Sequence, residues 1–242
     1  MTTEEPLEFP VRLNRYLAHK GFSTRRGADE LITKGLVKIN GKVAVLGDKV
    51  ESVDDKVEVS TKVIAKMEGS YRYLAYYKPR GISTDVQTEG ESIKSSLPAL
   101  RGLFPLGRLD KDSEGLVILT NDGRLTDRVL SPDRVHEKEY LVKVDKFITD
   151  TFVRHLERGI LIETYKTKPA KARRAGETLF RIVLTEGKKH QIRRMCAAEG
   201  YQVLELKRLR IMNIKLGDLK SGAYRDIVGT ELSDLKKSIG LS

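Results

Sequence analysis

The sequence predicts an α+β protein in which a small α-α-β module precedes a larger mixed domain rich in strands. Residues 11 to 59 show two helix patterns followed by a hairpin signal. Residues 71 to 242 show several short apolar runs without the regular strand–helix alternation of a doubly wound sheet. A chain of 242 residues is long enough to bury a sizeable core in this arrangement.

The first module begins with two short helices. Their apolar positions recur at helical spacing and are Leu13, Tyr16 and Leu17 in the first and Ala28, Leu31 and Ile32 in the second. Gly21 ends the first helix, and Ser23 or Thr24 caps the second. Gly35 then ends the second helix.

A hairpin and one further strand follow. Residues 36–39 and 42–45 flank Asn40-Gly41. This dipeptide is the strongest short-range hairpin signal, because both central residues of the turn need positive φ. A third strand at residues 56–59 completes an α-α-β-β-β order. The module therefore spans residues 11–59.

Residues 60–70 lack a strong pattern and end in Gly-Ser, so we place a linker there and the larger domain at 71–242. Strands are predicted in that domain at residues 71–77, 116–119, 140–144, 180–184 and 203–206.

Two helices are also predicted in the larger domain. One covers residues 150–158, with Thr149 as its N-cap and Gly159 at its end. The other covers residues 191–199 and ends at Gly200.

Positive charge dominates and is concentrated in one segment. Lys and Arg number 45 against 34 Asp and Glu, which leaves a net charge of +11. Residues 166–210 hold 13 Lys and Arg against 4 Asp and Glu. Such a segment is either a solvated basic face or a surface that follows a phosphate backbone. A polyanion is the partner class that this charge favours.

Several function classes lack their signatures. A single cysteine excludes an intramolecular disulfide and multi-cysteine metal sites, and Cys196 is predicted to be a small core residue. The four histidines show no metal-ligand spacing, and there is neither a phosphate-binding GxxxxGK[ST] loop nor a GxGxxG fingerprint. No signal peptide or long apolar run is present, so we expect a soluble, cytoplasmic protein that does not enter membranes.

One short loop has the composition of a catalytic site. Between Gly107 and Gly115 lie three acidic and two basic residues, namely Asp110, Asp112 and Glu114 with Arg108 and Lys111. A neighbouring cation keeps a carboxylate ionised, and an ionised carboxylate beside a bound sugar is able to act as a nucleophile. The same spacing also fits a salt-bridged turn before a strand.

The first module resembles the S4 RNA-binding domain. The resemblance rests on RLNRYL at 12–17, STRRGAD at 23–29 and GLVKINGK at 35–42. In that family paired helices and a hairpin present basic side chains to structured RNA. The contacts that the resemblance implies are Arg12, Arg15, Arg25, Arg26, Lys34 and Lys38.

The larger domain resembles pseudouridine synthases of the RsuA class. Four blocks occur in the order of that family: the GRLD loop at 107–110, HEKEYLV at 136–142, EGKKHQIRRM at 186–195 and LKRLRI at 206–211. The resemblance implies a largely antiparallel sheet and the isomerisation of a uridine within RNA to pseudouridine, with no cofactor and no metal.

The same resemblance implies roles for individual residues. Asp110 is the catalytic carboxylate, and Arg193 pairs with it and holds it ionised. Tyr140 stacks on the flipped uracil and places its hydroxyl near the proton lost from C5. Leu206 packs on the opposite side of the base. Arg108 lies two residues before Asp110, on the same side of an extended stretch, so we expect it to contact the target backbone or to help displace the base. Gln191 and Arg194 are also expected to bind substrate.

The expected substrate is structured rRNA of the large (23S) ribosomal subunit, and whether tRNA is a second substrate stays open. The enzyme is expected to be a monomer. The sequence leaves alternatives open. Another rRNA uridine could be the target, or the chain could be a non-catalytic ribosome-assembly factor that binds RNA. A nuclease would need clustered metal-binding carboxylates, for which the alternation of Asp110, Asp112 and Glu114 is the only hint.

Overall fold

The computed structural model describes residues 7–20, 22–23, 25–60, 71–84, 91–97, 100, 102–130 and 135–241. These residues form two compact units. One contains the described residues up to Arg72 together with Thr120–Arg128, and the other contains the remainder. The predicted linker at 60–70 lies, apart from its first residue, outside the described residues.

The first unit contains the predicted α-α-β-β-β order and two further two-residue strands, one before the first helix and one after the hairpin. Its helices and strands are β1 (Val11–Arg12), α1 (Leu13–His19), α2 (Arg25–Thr33), β2 (Val37–Ile39), β3 (Lys42–Val43), β4 (Lys49–Val50) and β5 (Val57–Val59). Strand β2 pairs antiparallel with both β3 and β5, and β1 pairs antiparallel with β4. The predicted apolar positions of both helices lie in one cluster, where Tyr16 is partly buried and the others are buried.

Local turn chemistry explains the ends of these elements. Asn40 and Gly41 have φ values of 51° and 79°, as the hairpin prediction requires. Gly35 follows α2 with φ of 68°, and the Leu36 amide donates to the Leu31 carbonyl at 3.0 Å. The predicted Gly21 helix end and Thr24 cap lie outside the described residues, whereas Ser23 is buried.

The remaining elements build the second unit, with α4 shared between the two. They are β6 (Tyr73–Lys78), α3 (Ile93–Ser96), β7 (Phe104–Leu106), β8 (Glu114–Thr120), α4 (Arg124–Leu130), β9 (Lys138–Val144), α5 (Asp150–Arg158), β10 (Leu161–Ile162), β11 (Tyr165–Lys166), β12 (Lys171–Arg174), β13 (Leu179–Leu184), α6 (Gln191–Ala198), β14 (Val203–Ile211), β15 (Ile214–Lys215), β16 (Tyr224–Asp226) and α7 (Gly229–Ser238).

Within the described residues, nine strands of this unit form one mixed sheet. Its main order is β12-β13-β9-β14-β8-β6-β16, with β7 added to β8 and β15 to β14. Most pairings among the described strands are antiparallel, and β14 runs parallel to β8. The predicted helix at 150–158 is confirmed: the Thr149 hydroxyl accepts from the Phe152 amide at 3.1 Å. The α+β fold class is likewise confirmed.

A large apolar cluster fills this unit, and Phe152 and Phe180 meet edge to face in it with ring centroids 5.4 Å apart. Across the described part of the chain, no helix combines the length and apolar character that crossing a membrane would require.

Candidate active site

A cleft of about 490 Å³ opens in the second unit. Its lining includes five of the residues that the sequence singled out, namely Arg108, Asp110, Tyr140, Gln191 and Leu206. They come from the GRLD loop, β9, α6 and β14. The fold therefore brings together residues from four blocks that lie up to 98 positions apart in the chain.

Strands β9 and β14 supply one wall of the cleft. Tyr140 on β9 is directly opposite Arg208 on β14, and Val142 is opposite Leu206. Residues directly opposite in an antiparallel pair project from the same face, as do residues two apart in one strand. Tyr140, Leu206 and Arg208 thus share one face, where each is at least nine-tenths buried.

Gly115 allows β8 to approach β14 closely. It pairs with Arg208 in the parallel register and has φ of 111°. A Cβ atom at this position would lie 2.4 Å from the Arg208 carbonyl oxygen and 2.6 Å from its nitrogen. Only glycine fits here, and the close approach sets the Asp110 loop against the strand that carries Leu206.

The backbone of the Asp110 loop is held by two side chains from outside it and by one backbone hydrogen bond within it. Arg208 Nη1 donates to the Arg108 carbonyl at 3.2 Å, and Thr84 Oγ1 donates to the Leu109 carbonyl at 2.6 Å. The Ser113 amide donates to the Asp110 carbonyl at 3.0 Å. Three successive carbonyls are satisfied in this way, which restricts the loop to one conformation.

Lys78 continues this support from beneath the loop. Its side chain is fully buried, and Nζ donates to the carbonyls of Pro79, Ile82 and Lys111 at 2.9, 2.7 and 3.5 Å. Burial, together with the nearby Arg208 charge, lowers the pKa of Lys78 to about 8. The three carbonyl acceptors satisfy the ammonium group in the absence of a direct carboxylate partner among the described residues.

The side chain of Asp110 is about one-third exposed, and its Oδ1 atom lies 3.5 Å from His190 Nε2. His190 directly precedes α6 and has a left-handed backbone with φ of 52°. This conformation is uncommon for a residue with a side chain, and such strain concentrates at functional sites. His190 lines the cleft together with Asp110.

Comparison with known proteins identifies this arrangement. A family model described as RNA pseudouridylate synthase matches residues 72–198, and an S4 domain model matches residues 11–57. The chain belongs to the RNA pseudouridylate synthase family. The S4 and RsuA-class resemblances are confirmed.

Individual relatives agree with this assignment. The dual-specificity RNA pseudouridine synthase RluF of Salmonella typhi is 44% identical over 231 residues, covering 95% of this chain and 80% of the relative. Ribosomal large subunit pseudouridine synthase B of Bacillus subtilis is 36% identical over 237 residues, covering 93% and 95%. A crystal structure of a pseudouridylate synthase superposes with a TM-score of 0.69 at 30% identity, covering 93% of this chain and 99% of that one.

The synthase differs from the sequence prediction at Arg193. Its guanidinium donates to the backbone carbonyls of Asp112 at 3.0 Å and Val203 at 3.1 Å, and not to the Asp110 carboxylate. The side chain joins the loop backbone to the start of β14, while His190 takes the place beside Asp110. The expected Arg193–Asp110 pair is therefore corrected. The physical reason is that two backbone carbonyls, of Asp112 and Val203, occupy the guanidinium, while His190 lies beside the carboxylate.

Arg194 also has a partner other than the one expected. It forms an ion pair with Glu163 at 2.8 Å and is not among the described residues that line the cleft. Gln191 lines the cleft but is 4% exposed, and its amide donates to Glu186 at 2.6 Å while accepting from the Lys188 amide at 2.9 Å.

The sequence prediction missed His190, Lys78 and Tyr165. A signal for His190 existed, because it immediately precedes the helix pattern at 191–199. Lys78 ends an apolar strand, where a buried cation is unexpected. Tyr165 lies in a segment without a recognised motif, yet it lines the cleft.

The basic residues proposed for the S4 domain of the synthase are all exposed. They are Arg12, Arg15, Arg25, Arg26, Lys34 and Lys38. Lys34 lies 3.9 Å from Glu30 in an exposed pair that contributes little stability.

Cys196 is buried in the synthase core as predicted, and burial raises the pKa of its thiol to about 12. In the described ranges no group of three or more His, Cys, Asp or Glu side chains is placed to hold a metal ion.

Proposed function

We propose that this synthase isomerises a uridine of large-subunit rRNA to pseudouridine, with Asp110 as the catalytic carboxylate. The observation that supports this most is the placement of a partly exposed carboxylate at a cleft whose wall is formed by Tyr140 and Leu206. The wall is apolar enough to take a pyrimidine ring, and the carboxylate is able to reach a sugar at its edge.

Each residue then has a chemical task. The Asp110 carboxylate promotes cleavage of the bond between uracil N1 and ribose C1′. Tyr140 and Leu206 hold the detached uracil by stacking and packing while it turns to present C5. A bond forms between C5 and C1′, and Tyr140 places its hydroxyl near the proton that leaves C5. Product and substrate are isomers, so the proton lost at C5 is balanced by one gained at N1.

His190 and Arg193 support this chemistry in different ways. His190 orients the Asp110 side chain through the 3.5 Å contact. Arg193 fixes the loop backbone at Asp112. Arg108, which is exposed at the cleft, contacts the RNA backbone. Gln191 acts on the substrate indirectly, through its hydrogen bonds with Glu186 and the Lys188 amide. Arg194, three residues further along α6, contacts the RNA.

The substrate class follows from base accessibility and from the relatives. A stacked base hides its glycosidic bond, so the target nucleotide has to leave the stack before it reaches Asp110. Residues 11–59 form the RNA-binding domain and residues 71–242 the catalytic domain, and folded RNA shape selects the site. One relative is described as a large-subunit enzyme and another as dual-specificity, which supports large-subunit rRNA with tRNA as a second substrate. The enzyme acts as a cytoplasmic monomer.

Pseudouridine mapping tests the proposal. Large-subunit rRNA and tRNA are sequenced from cells with and without the gene, and from deleted cells expressing wild type or Asp110→Asn. We expect one or more sites to disappear on deletion and to return only with wild type. Asp110→Asn keeps the size of the side chain, so equal rescue would remove Asp110 from the chemistry. If deletion changed no site in either RNA, the enzymatic proposal would give way to an RNA-binding assembly role.

A further inference from the structure

Tyr165 and the lysines near it lie at the cleft, and the roles above give none of them a direct contact with the RNA. Strand β11 pairs with β10 in a short hairpin, where Ile162 is opposite Tyr165. The second strand of this hairpin lies within the segment 163–177, in which the sequence shows no motif of the synthase family. Tyr165, Lys168, Lys188 and Lys189 all line the same cleft as Asp110.

The hairpin is fixed firmly to the rest of the domain. Ile160 and Thr167 exchange hydrogen bonds at its base, from Thr167 N to Ile160 O at 3.0 Å and from Ile160 N to Thr167 Oγ1 at 2.9 Å. Gly159 permits this contact, because a Cβ there would lie 2.2 Å from the Thr167 carbonyl oxygen. Tyr165 is therefore held at a defined place.

Glu186 anchors the tyrosine to the segment that precedes α6. Its carboxylate accepts from the Tyr165 hydroxyl, from the Lys168 amide at 3.0 Å and from Gln191 Nε2 at 2.6 Å. The hydrogen bond to Glu186 raises the pKa of the Tyr165 hydroxyl, which remains a donor. The polar end of the side chain is thus occupied, and the ring is left to make contacts of its own.

The ring is partly buried against the core cluster, and Lys188 Nζ lies 4.7 Å from its centroid. Lysine has a flexible four-carbon stem, so this ammonium is able to leave the ring at low cost when a stronger partner arrives. The ring face beneath Lys188 is then open to a flat ligand.

Ion pairs distinguish these lysines from several other cations of the basic segment. Lys171, Arg174, Arg181, Arg194 and Arg210 each pair with a carboxylate. Among the described residues, no carboxylate lies within ion-pair distance of the ammonium groups of Lys168, Lys188 or Lys189. Three of the cleft's lysines that no carboxylate of the described residues neutralises thus come from the segments on either side of Glu186.

An aromatic ring surrounded by free lysines is the arrangement with which proteins hold single-stranded nucleic acid, by stacking a base and pairing with its phosphates. We propose that Tyr165, Lys168 and Lys188 form a second nucleotide subsite that binds a base next to the target uridine in the RNA. The base stacks on the Tyr165 face that Lys188 covers in the free protein, and the lysines move to the adjacent phosphates. This subsite rests on the proposed function.

A thermodynamic cycle on RNA binding tests the subsite. The probe is a fluorescein-labelled RNA stem-loop around the mapped uridine, with each nucleotide flanking that uridine replaced in turn by an abasic one. We expect one abasic replacement and Tyr165→Ala each to weaken binding about tenfold. Together they should weaken it little further, because both remove the same contact. Tyr165→Phe, which keeps the ring, should bind within about twofold of wild type.

The outcomes are decisive even if Tyr165→Ala is unstable, because the abasic series on wild type stands alone. Binding that is insensitive to every flanking base would overturn the subsite. The subsite would also be overturned if the two changes together weakened binding by the product of their separate effects. Pseudouridine formation is measured on the same RNAs. Wild type that binds with base dependence but forms no product would contradict the proposed function and keep the subsite.

The lysines have their own control. The slope of log Kd against log salt should fall by about 2 in Lys168→Met/Lys188→Met relative to wild type, because two phosphate contacts are lost. Lys171→Met removes a lysine of the same basic segment that pairs with Glu137, and its slope should equal that of wild type. Equal slopes for all three proteins would overturn the role of the lysines.

Discussion

His190 Nε2 lies 3.5 Å from Asp110 Oδ1, and the backbone of His190 is left-handed with φ of 52°. His190 directly precedes α6, and its side chain lines the same cleft as Asp110. A conformation that is unfavourable for the fold thus places the cleft's basic ring beside its carboxylate. This relationship predicts that a substitution at position 190 lowers activity without lowering stability.

His190→Gly should lower kcat about tenfold or more, since it removes the group that orients Asp110. Glycine adopts positive φ without strain, so the free energy of unfolding should stay equal or rise by up to about 1 kcal/mol. Single-turnover kinetics and urea unfolding check the two effects. A variant with wild-type kcat would show that the contact has no part in the reaction.

Gly115 should tolerate no side chain. In Gly115→Ala the new methyl group would overlap the Arg208 backbone at 2.4 Å, so β8 and β14 have to separate. We expect a loss of about 3 kcal/mol or more in the free energy of unfolding. Gly217→Ala is the matched control, because Gly217 has φ of 59° and open space around it. It should cost only about 1 kcal/mol, and equal losses in the two variants would contradict the packing argument.

Lys78 should make stability depend on pH. Its pKa falls from 10.5 to about 8 in the folded protein, so between these values the unfolded chain binds more protons than the folded one. Stability from this group therefore increases with pH across that window. Relative to Lys78→Met, the unfolding free energy of wild type should rise by up to about 3 kcal/mol from pH 8 to pH 10.5.

Chemical unfolding of wild type and Lys78→Met at several pH values measures this difference. Lys237→Met, which removes an exposed lysine, controls for the general loss of a positive charge. A difference between wild type and Lys78→Met that does not change with pH would mean that folding does not lower the pKa of Lys78.

A substitution of Arg193 distinguishes two roles for its side chain, support of the loop backbone and charge pairing with Asp110. Arg193→Lys keeps the charge, but one ammonium cannot span both the Asp112 and Val203 carbonyls as the planar guanidinium does. The variant should lose about 1 kcal/mol of stability for the missing hydrogen bond, together with part of kcat. Thermal unfolding and kinetics check both. Full activity and full stability in the lysine variant would favour a direct charge role toward Asp110 instead.

The sequence by itself determined the features that depend on neighbouring residues. Asn40-Gly41 specifies the hairpin, since few other dipeptides accept two successive positive φ values. Thr149 specifies the start of α5 because its hydroxyl reaches an amide three residues away. The GRLD loop at 107–110, and the blocks that accompany it, were sufficient to indicate the family from residue types and order alone.

Only the tertiary structure decided which side chains meet at the cleft. Among the described residues, the basic side chain within ion-pair distance of the Asp110 carboxylate is that of His190, 80 positions away in sequence. Its place just before a helix pattern does not say which distant carboxylate it meets. The parallel pairing of β8 with β14, which Gly115 allows, likewise joins distant segments. The β10–β11 hairpin brings Tyr165 to the cleft through contacts with Glu186 that its own sequence does not encode. Contacts between distant segments depend on the packing of the whole chain, and local propensity does not contain that information.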